Sequence, residues 1–145
     1  MRVYIAAPYS MKDTIKQEAD DLLKYNITCT SSWVMEPHKP TTQMQELPHA
    51  THQGYALQDV VDVSSADVLV FHTDPTKALV RGGRHVEFGM AVLIGTQRTM
   101  PIYVVGMEEE NIFHHLPQVV HFPTWDEVLV RLLHDRIDML DGLPF

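Results

Sequence analysis

The chain alternates short, almost wholly apolar runs with longer segments of helical spacing, and that alternation leaves few folds open. "RVYIAA" at 2–7, "DVLVFHT" at 67–73 and "MPIYVVG" at 100–106 lack the in-and-out pattern of a strand with one wet face. A strand covered on both faces reads this way, and such strands belong to parallel sheets sandwiched between helices. Between the runs, residues 11–25 place Ile15, Ala19, Leu22 and Leu23 near helical spacing, with Ser10 as a candidate N-cap. "NITCTSSWV" at 26–34 predicts a second strand, and the proline-rich segment 35–54 a long loop. "YALQDVVDVSSA" at 55–66 and Gly83 to Ile94 predict helices, with loop at 74–82 between strand three and the latter. "EENIFHHL" predicts a short helix or turn, "VVHF" a fifth strand, and 124–140 a last helix capped by Thr124. The expected fold is therefore α/β: a three-layer, doubly wound sheet of about five parallel strands in flavodoxin-like order. Residues 1–145 read as one domain.

Composition removes several function classes. A formal net charge of -8 argues against gripping a nucleic acid backbone, although a single nucleotide needs only a few local donors. No stretch approaches the about 20 apolar residues of a membrane span. The chain opens on a strand at Met1 rather than on a secretion signal. The single cysteine, Cys29, can form no internal disulfide and sits in a predicted strand, which fits an inert thiol in a reducing cytoplasm. The nine histidines come without a cysteine cluster or an H-E-x-x-H pattern, so no metal site and no cofactor are expected.

In open parallel sheets, ligands bind beyond the carboxyl ends of the strands. "APYS", "TDPTKALVRGG" and "GMEEENIFHH" converge there. They bring Ala7, Tyr9, Ser10, Asp74, Arg81, Gly82, Gly83, Asn111, His114 and His115 to that edge. Within "RGGRHVEFGMAVLIG", Glu87 lies about one turn into an apolar helix whose start carries two glycines. A carboxylate there could reach a bound small molecule, or simply complement the helix dipole. Its neighbours Val86, Phe88, Met90 and Ala91 favour the first. Asp59 and Asp62 share a helix face, so either one looks into the site and the other at solvent, or both are solvated. Tyr9 could orient a carboxylate or merely pack. Arg81 and Arg84 flank the glycines and, with the helix N-terminus, would suit a phosphate or lie on the surface. Gly82-Gly83 matches neither nucleotide-loop fingerprint. Trp33 and Met35 are candidates for a wall of a base pocket, and 35–53 for a lid.

Taken together, "VYIAAPYS", "ALQDVVDVSSADVLVFHTD", "GGRHVEFGMAVLIG" and "PIYVVG" resemble the nucleoside 2-deoxyribosyltransferase family and the related 2'-deoxynucleoside 5'-monophosphate N-glycosidases. "ENIFHHLPQVVHFPTW" resembles a subgroup of small proteins placed in that family. The resemblance runs over nearly the whole chain and is weakest at 35–53. It implies a flavodoxin-like fold, a homodimer or higher homo-oligomer with a shared site, and a nucleoside or nucleotide substrate. It also implies roles: Glu87 as nucleophile on the sugar C1', Asp59 as the group that contacts and protonates the leaving base, and Tyr9 as the phenol that orients the nucleophile. Ala7, Ser10, Trp33, Asp74, Arg81, Gly82, Gly83, Asn111 and His115 would line the substrate. The family carries a further aspartate shortly before the nucleophile, where this chain has Arg81. That departure suits a 5'-phosphate, and water as acceptor, better than a bare nucleoside and a second base. The rival reading is a nucleotide-binding module on the same fold that turns nothing over.

Overall fold

In the computed structural model, which describes residues 1–37, 46–76 and 82–142, the predicted alternation is present. The strands are β1 (Arg2–Ala6), β2 (Thr28–Cys29), β3 (Val68–His72), β4 (Ile102–Val105) and β5 (Val119–Phe122). The helices are α1 (Lys12–Lys24), α2 (His49–Ser64), α3 (Gly83–Ile94) and α4 (Trp125–Asp141). The sheet runs β2-β1-β3-β4-β5 with every pair parallel. This is the α/β, doubly wound, flavodoxin-like arrangement expected from the sequence.

Adjacent residues of the central strand define the two faces. Phe71 meets Phe88 of α3 edge-on at 5.7 Å. His72 points the other way, to Glu18 of α1 at 2.8 Å and to the ring of Trp125 in α4. Helix α2 packs beside α3. Val3, Tyr4, Ile5, Leu69, Val70, Phe71 and Ile102 are all but inaccessible, as a strand covered on both sides must be. Phe88 and Ala91 bury the inward stripe of α3, and Phe88 alone is worth about 2–3 kcal/mol of apolar burial.

Three local expectations need correction. The second strand is two residues long, not the whole of 26–34. Beyond it, the Ser31 hydroxyl accepts from Ile5 N at 2.6 Å and donates to Ile5 O at 3.0 Å. A side chain thus replaces the next rung of the ladder, and 32–35 coil into a 3-10 turn. Helix α2 starts at His49, inside the expected loop, because the Pro48 carbonyl accepts from both Thr51 N and His52 N. Ser10 makes no cap: it lies exposed in a 3-10 turn, Tyr9–Met11, that leads into α1. Thr124 does cap α4, accepting from Glu127 N at 3.4 Å.

Two glycines hold backbone that other residues enter reluctantly. Gly82, at φ +76, turns the chain into α3. Gly106 ends β4 at φ +107, where an added Cβ would lie 1.9 Å from Thr73 Oγ1.

Candidate active site

Glu87 projects from α3 toward the middle of β1. The group facing it is the Tyr4 hydroxyl, close enough to act on it as a donor. That hydroxyl is buried and has no well-aligned hydrogen-bond partner among the described residues, so the carboxylate is its natural acceptor. Asp59 of α2 adds its charge from the neighbouring helix. Burial, then Asp59, push the Glu87 carboxyl up to about 7, against a smaller downward pull from Tyr4. The Tyr4 phenol favours the ionised form; loss of water outweighs it.

Asp59 is perturbed the same way. Burial, then Glu36 and Asp62, push it up to about 7. Its Oδ1 is buried and has no hydrogen-bond partner among the described residues. A buried acceptor left without a partner costs about 1–3 kcal/mol, which a ligand can return. Two carboxyls that titrate in one range and repel each other share protons as a pair. Near neutrality such a pair holds one acid and one carboxylate.

Glu36 joins them from the 3-10 turn after β2. Its carboxylate accepts from the Tyr9 hydroxyl at 3.3 Å, and that hydroxyl accepts from Lys12 Nζ at 3.2 Å. Tyr9 also tilts against Trp33 with ring centroids 5.7 Å apart, and Trp33 Nε1 donates to Ile5 O at 3.0 Å. The structure therefore brings Tyr9, Trp33, Asp59 and Glu87 into one neighbourhood. The phenol at Glu87, however, is Tyr4, while Tyr9 serves Glu36. Tyr4 and Glu36 escaped the sequence reading. A lone hydroxyl in the aliphatic run "RVYIAA" was the available signal for Tyr4. An acid directly after "SSWVM", at the carboxyl end of a strand, was the signal for Glu36.

Asp62 was expected to face either site or solvent; it does neither. Only 6% exposed, it accepts from Ser32 N at 3.0 Å, from the Ser32 hydroxyl, and from Gln58 Nε2 at 2.8 Å. It fastens α2 to the turn that carries Glu36.

The remaining candidates sit around a second cluster. Arg84 is buried, spans to Glu110 at 2.5 Å, donates to His72 O, and lies over the Phe71 ring. Its charge is already matched, so it does not serve a phosphate. Asp74 N donates to Glu110 at 2.7 Å, and its Oδ1 accepts from Thr76. Asn111 accepts from Phe113 N as the cap of a 3-10 turn at 112–115. His115 is exposed and stacks on His121, whereas His114 is buried between Phe71 and Phe88. Ala7 is half-buried, Gly83 exposed, and Arg81 lies outside the described residues, as do residues 38–45 of the expected lid at 35–53, whose end from His49 on belongs to α2. Met35 is exposed.

A hollow of about 570 Å³ bordered by Asp74 and Met107–Glu110 opens at this edge, and its acids would repel a phosphate. A groove of about 390 Å³ lies between α3, α4 and the start of β4, away from Glu87. Among the described residues no group of three or more His, Cys, Asp or Glu could hold a metal ion. No helix among them is long and apolar enough to cross a membrane.

No protein-family model matches the chain, and no curated protein matches it by sequence. Among solved structures, a Clostridium botulinum CMP N-glycosidase, BcmB, superposes with a TM-score of 0.54 at 17% identity, over 91% of this chain and 98% of that one. In fold, then, the chain that places Glu87, Asp59 and Tyr4 together is similar to a nucleotide N-glycosidase.

Proposed function

We propose that the chain cleaves or transfers the N-glycosidic bond of 2'-deoxynucleosides or their 5'-monophosphates through a covalent glycosyl ester on Glu87. One observation carries the reading: two half-buried carboxyls, Glu87 and Asp59, each pushed up to about 7, with the charge of Asp59 adding to the rise at Glu87. Such a pair supplies a carboxylate and an acid at the same pH. The likeness of fold to an N-glycosidase supports it.

The ionised Glu87 attacks C1' as the bond to the base breaks. The bonding pair moves onto the base nitrogen, and the proton of Asp59 goes to the base. Water or a second base then attacks C1', the C1'–O bond to Glu87 breaks with its electron pair left on the carboxylate, and the proton of the attacking group passes to the ionised Asp59. Tyr4 donates to the Glu87 oxygen that does not attack, holding the carboxyl plane. No cofactor takes part. Without Arg84, the 5'-phosphate depends on Arg81 and the amides around Gly82 and Gly83.

We further take residues 1–145 as one domain, active in the cytoplasm as a homodimer or higher homo-oligomer. Support comes from the outer face of α2 and α3. Their four formally charged residues, Asp59, Asp62, Arg84 and Glu87, are all turned inward, leaving Leu57, Val60, Val61, Val86 and Leu93 exposed. In a chain of net charge -8, this charge-free face is where two copies meet with least repulsion. Sedimentation of Leu57→Glu should give a smaller species than the parent; a monomeric parent overturns this part.

The test of activity is chromatography of base released from 2'-deoxynucleosides and their monophosphates, with and without a competing free base. Exchange only with a second base means transfer; release without one means hydrolysis. Glu87→Ala should abolish both. No turnover, with nucleotide binding that survives Glu87→Ala, replaces the proposal with the binding-module reading.

A further inference from the structure

Glu36 has no part in the cleavage just described, yet it is built into the site. Its carboxylate takes the Tyr9 hydroxyl, and its backbone carbonyl takes Lys12 Nζ. The Lys12 ammonium also lies 5.3 Å from the centre of the Tyr9 ring. The turn beneath is fastened to α2 through Asp62, whose carboxylate takes Ser32 and whose carbonyl takes Thr30 Oγ1 at 3.0 Å. Asp62 lies one turn beyond Asp59 on the same face. The fastening therefore sets Glu36 against Asp59, and Glu36 is the charge that acts most strongly on it. The buried, unpartnered Oδ1 of Asp59 marks the place where a ligand group is missing.

We propose that Glu36 and Asp59 together hold the leaving base, and that they select an amidine edge, as in cytosine or adenine, over a lactam edge, as in uracil or hypoxanthine. The inference rests on the glycosidase reading of the site. An amidine edge sets an exocyclic amine, a donor, beside a ring nitrogen, an acceptor. An ionised carboxylate only accepts; burial raises the Glu36 carboxyl, while the Tyr9 hydroxyl and then Lys12 pull it back toward that form. Protonated Asp59 donates. The pair is complementary to the amidine: amine to Glu36, ring nitrogen to Asp59. Against a lactam, a carbonyl oxygen would meet the Glu36 carboxylate and a ring N–H would meet the Asp59 proton. Both contacts are like against like.

The same pairing favours departure. As the C1'–N bond breaks, its electrons pass to the base, and the Asp59 proton passes to the ring nitrogen while the Glu87–C1' bond forms. The base leaves neutral and Asp59 is left ionised. During transfer the amidine carries partial positive charge between two acids, the charge-assisted fork that carboxylates make with guanidinium. A lactam, whose ring N–H is already occupied, gains nothing from it.

The experiment compares dCMP with dUMP and dAMP with dIMP in the full chain and in Glu36→Gln. The carboxamide still accepts from Tyr9 but also presents a donor. For the parent, kcat/KM should favour the amidine partner by about tenfold or more in each pair. In Glu36→Gln the ratio should fall to near unity, mostly through KM, with the melting temperature unchanged. In parallel, free cytosine, uracil, adenine and hypoxanthine are titrated calorimetrically into Glu87→Ala, with and without Glu36→Gln. Equal turnover of both edges by the parent overturns base selection and leaves cleavage standing. No turnover, but Glu36-dependent binding of cytosine and adenine alone, overturns cleavage and supports selection by the site. Neither turnover nor selective binding overturns both. The parent comparison needs no variant, so a misfolded Glu36→Gln does not shield the proposal.

Discussion

Glu87 should make the fold less stable, and replacing it should show by how much. In an unfolded chain its carboxyl titrates at 4.5; in the fold it does so at about 7. Between those values the folded state binds more protons than the unfolded one. Stability therefore falls as pH rises from 4.5 to 7 and stays reduced above. The gap corresponds to about 3 kcal/mol at most, and Asp59, which causes part of it, brings the expected cost to about 2–3 kcal/mol. Glu87→Gln keeps the shape, keeps an acceptor for Tyr4 and removes the titration. Urea unfolding should find the variant as stable as the parent below pH 4.5. Above pH 7.5 it should be about 2–3 kcal/mol more stable, or roughly 5–10 °C in Tm for a chain of this size. Equal stability at both pH values, or a less stable variant at high pH, would refute the claim that a dehydrated charge is stored in the site.

Three further outcomes follow from the same geometry. The pH dependence of kcat should be a narrow bell centred near 7, with its acid limb set by ionising Glu87 and its alkaline limb by keeping Asp59 protonated. Asp59→Asn should remove the alkaline limb and lower kcat by about 10²–10⁴. His114, packed between Phe71 and Phe88 and facing His85, His121, Arg84 and Glu110, is held by burial at about 4 rather than 6.5. Stability should thus be full above pH 6.5 and decline by about 3 kcal/mol as pH falls to about 4, a decline that unfolding curves of His114→Phe should lack. Gly106→Ala, whose Cβ would collide with Thr73 Oγ1 at positive φ, should lower Tm and cost about 1–3 kcal/mol by denaturant unfolding.

The strands buried on both faces were legible in the sequence because nothing but a parallel sheet wants "DVLVFHT" or "PIYVVG". The start and end of α3 were legible because Gly82 and Gly83 open it and the apolar periodicity stops at Ile94. What escaped was settled by side chains acting out of register with their own segment. "NITCTSSWV" has strand composition, but Ser31 turns back to bond Ile5 and ends the pairing early. Arg84 beside two glycines reads as a phosphate ligand until Glu110, 26 residues on, is brought against it. Tyr9 and Tyr4 are five positions apart, so motif reading could not decide which phenol meets Glu87. The pleat decides it: Tyr4 is paired with Leu69 and shares with Ala6 and Phe71 the face that α3 covers.

The four groups of the site come from β1, from the turn after β2, from α2 and from α3, at positions 4, 36, 59 and 87. No two are neighbours along the chain, and no single hairpin or helix brings any pair together. Each crossover of the sheet delivers one of them. A nascent or partly collapsed chain, however rich in helix, would hold four ordinary solvated side chains. The coupled titration of Glu87 and Asp59 is therefore a reporter of completed topology, expected among the last properties to be acquired in refolding and among the first to be lost when the β1–β3 pairing opens.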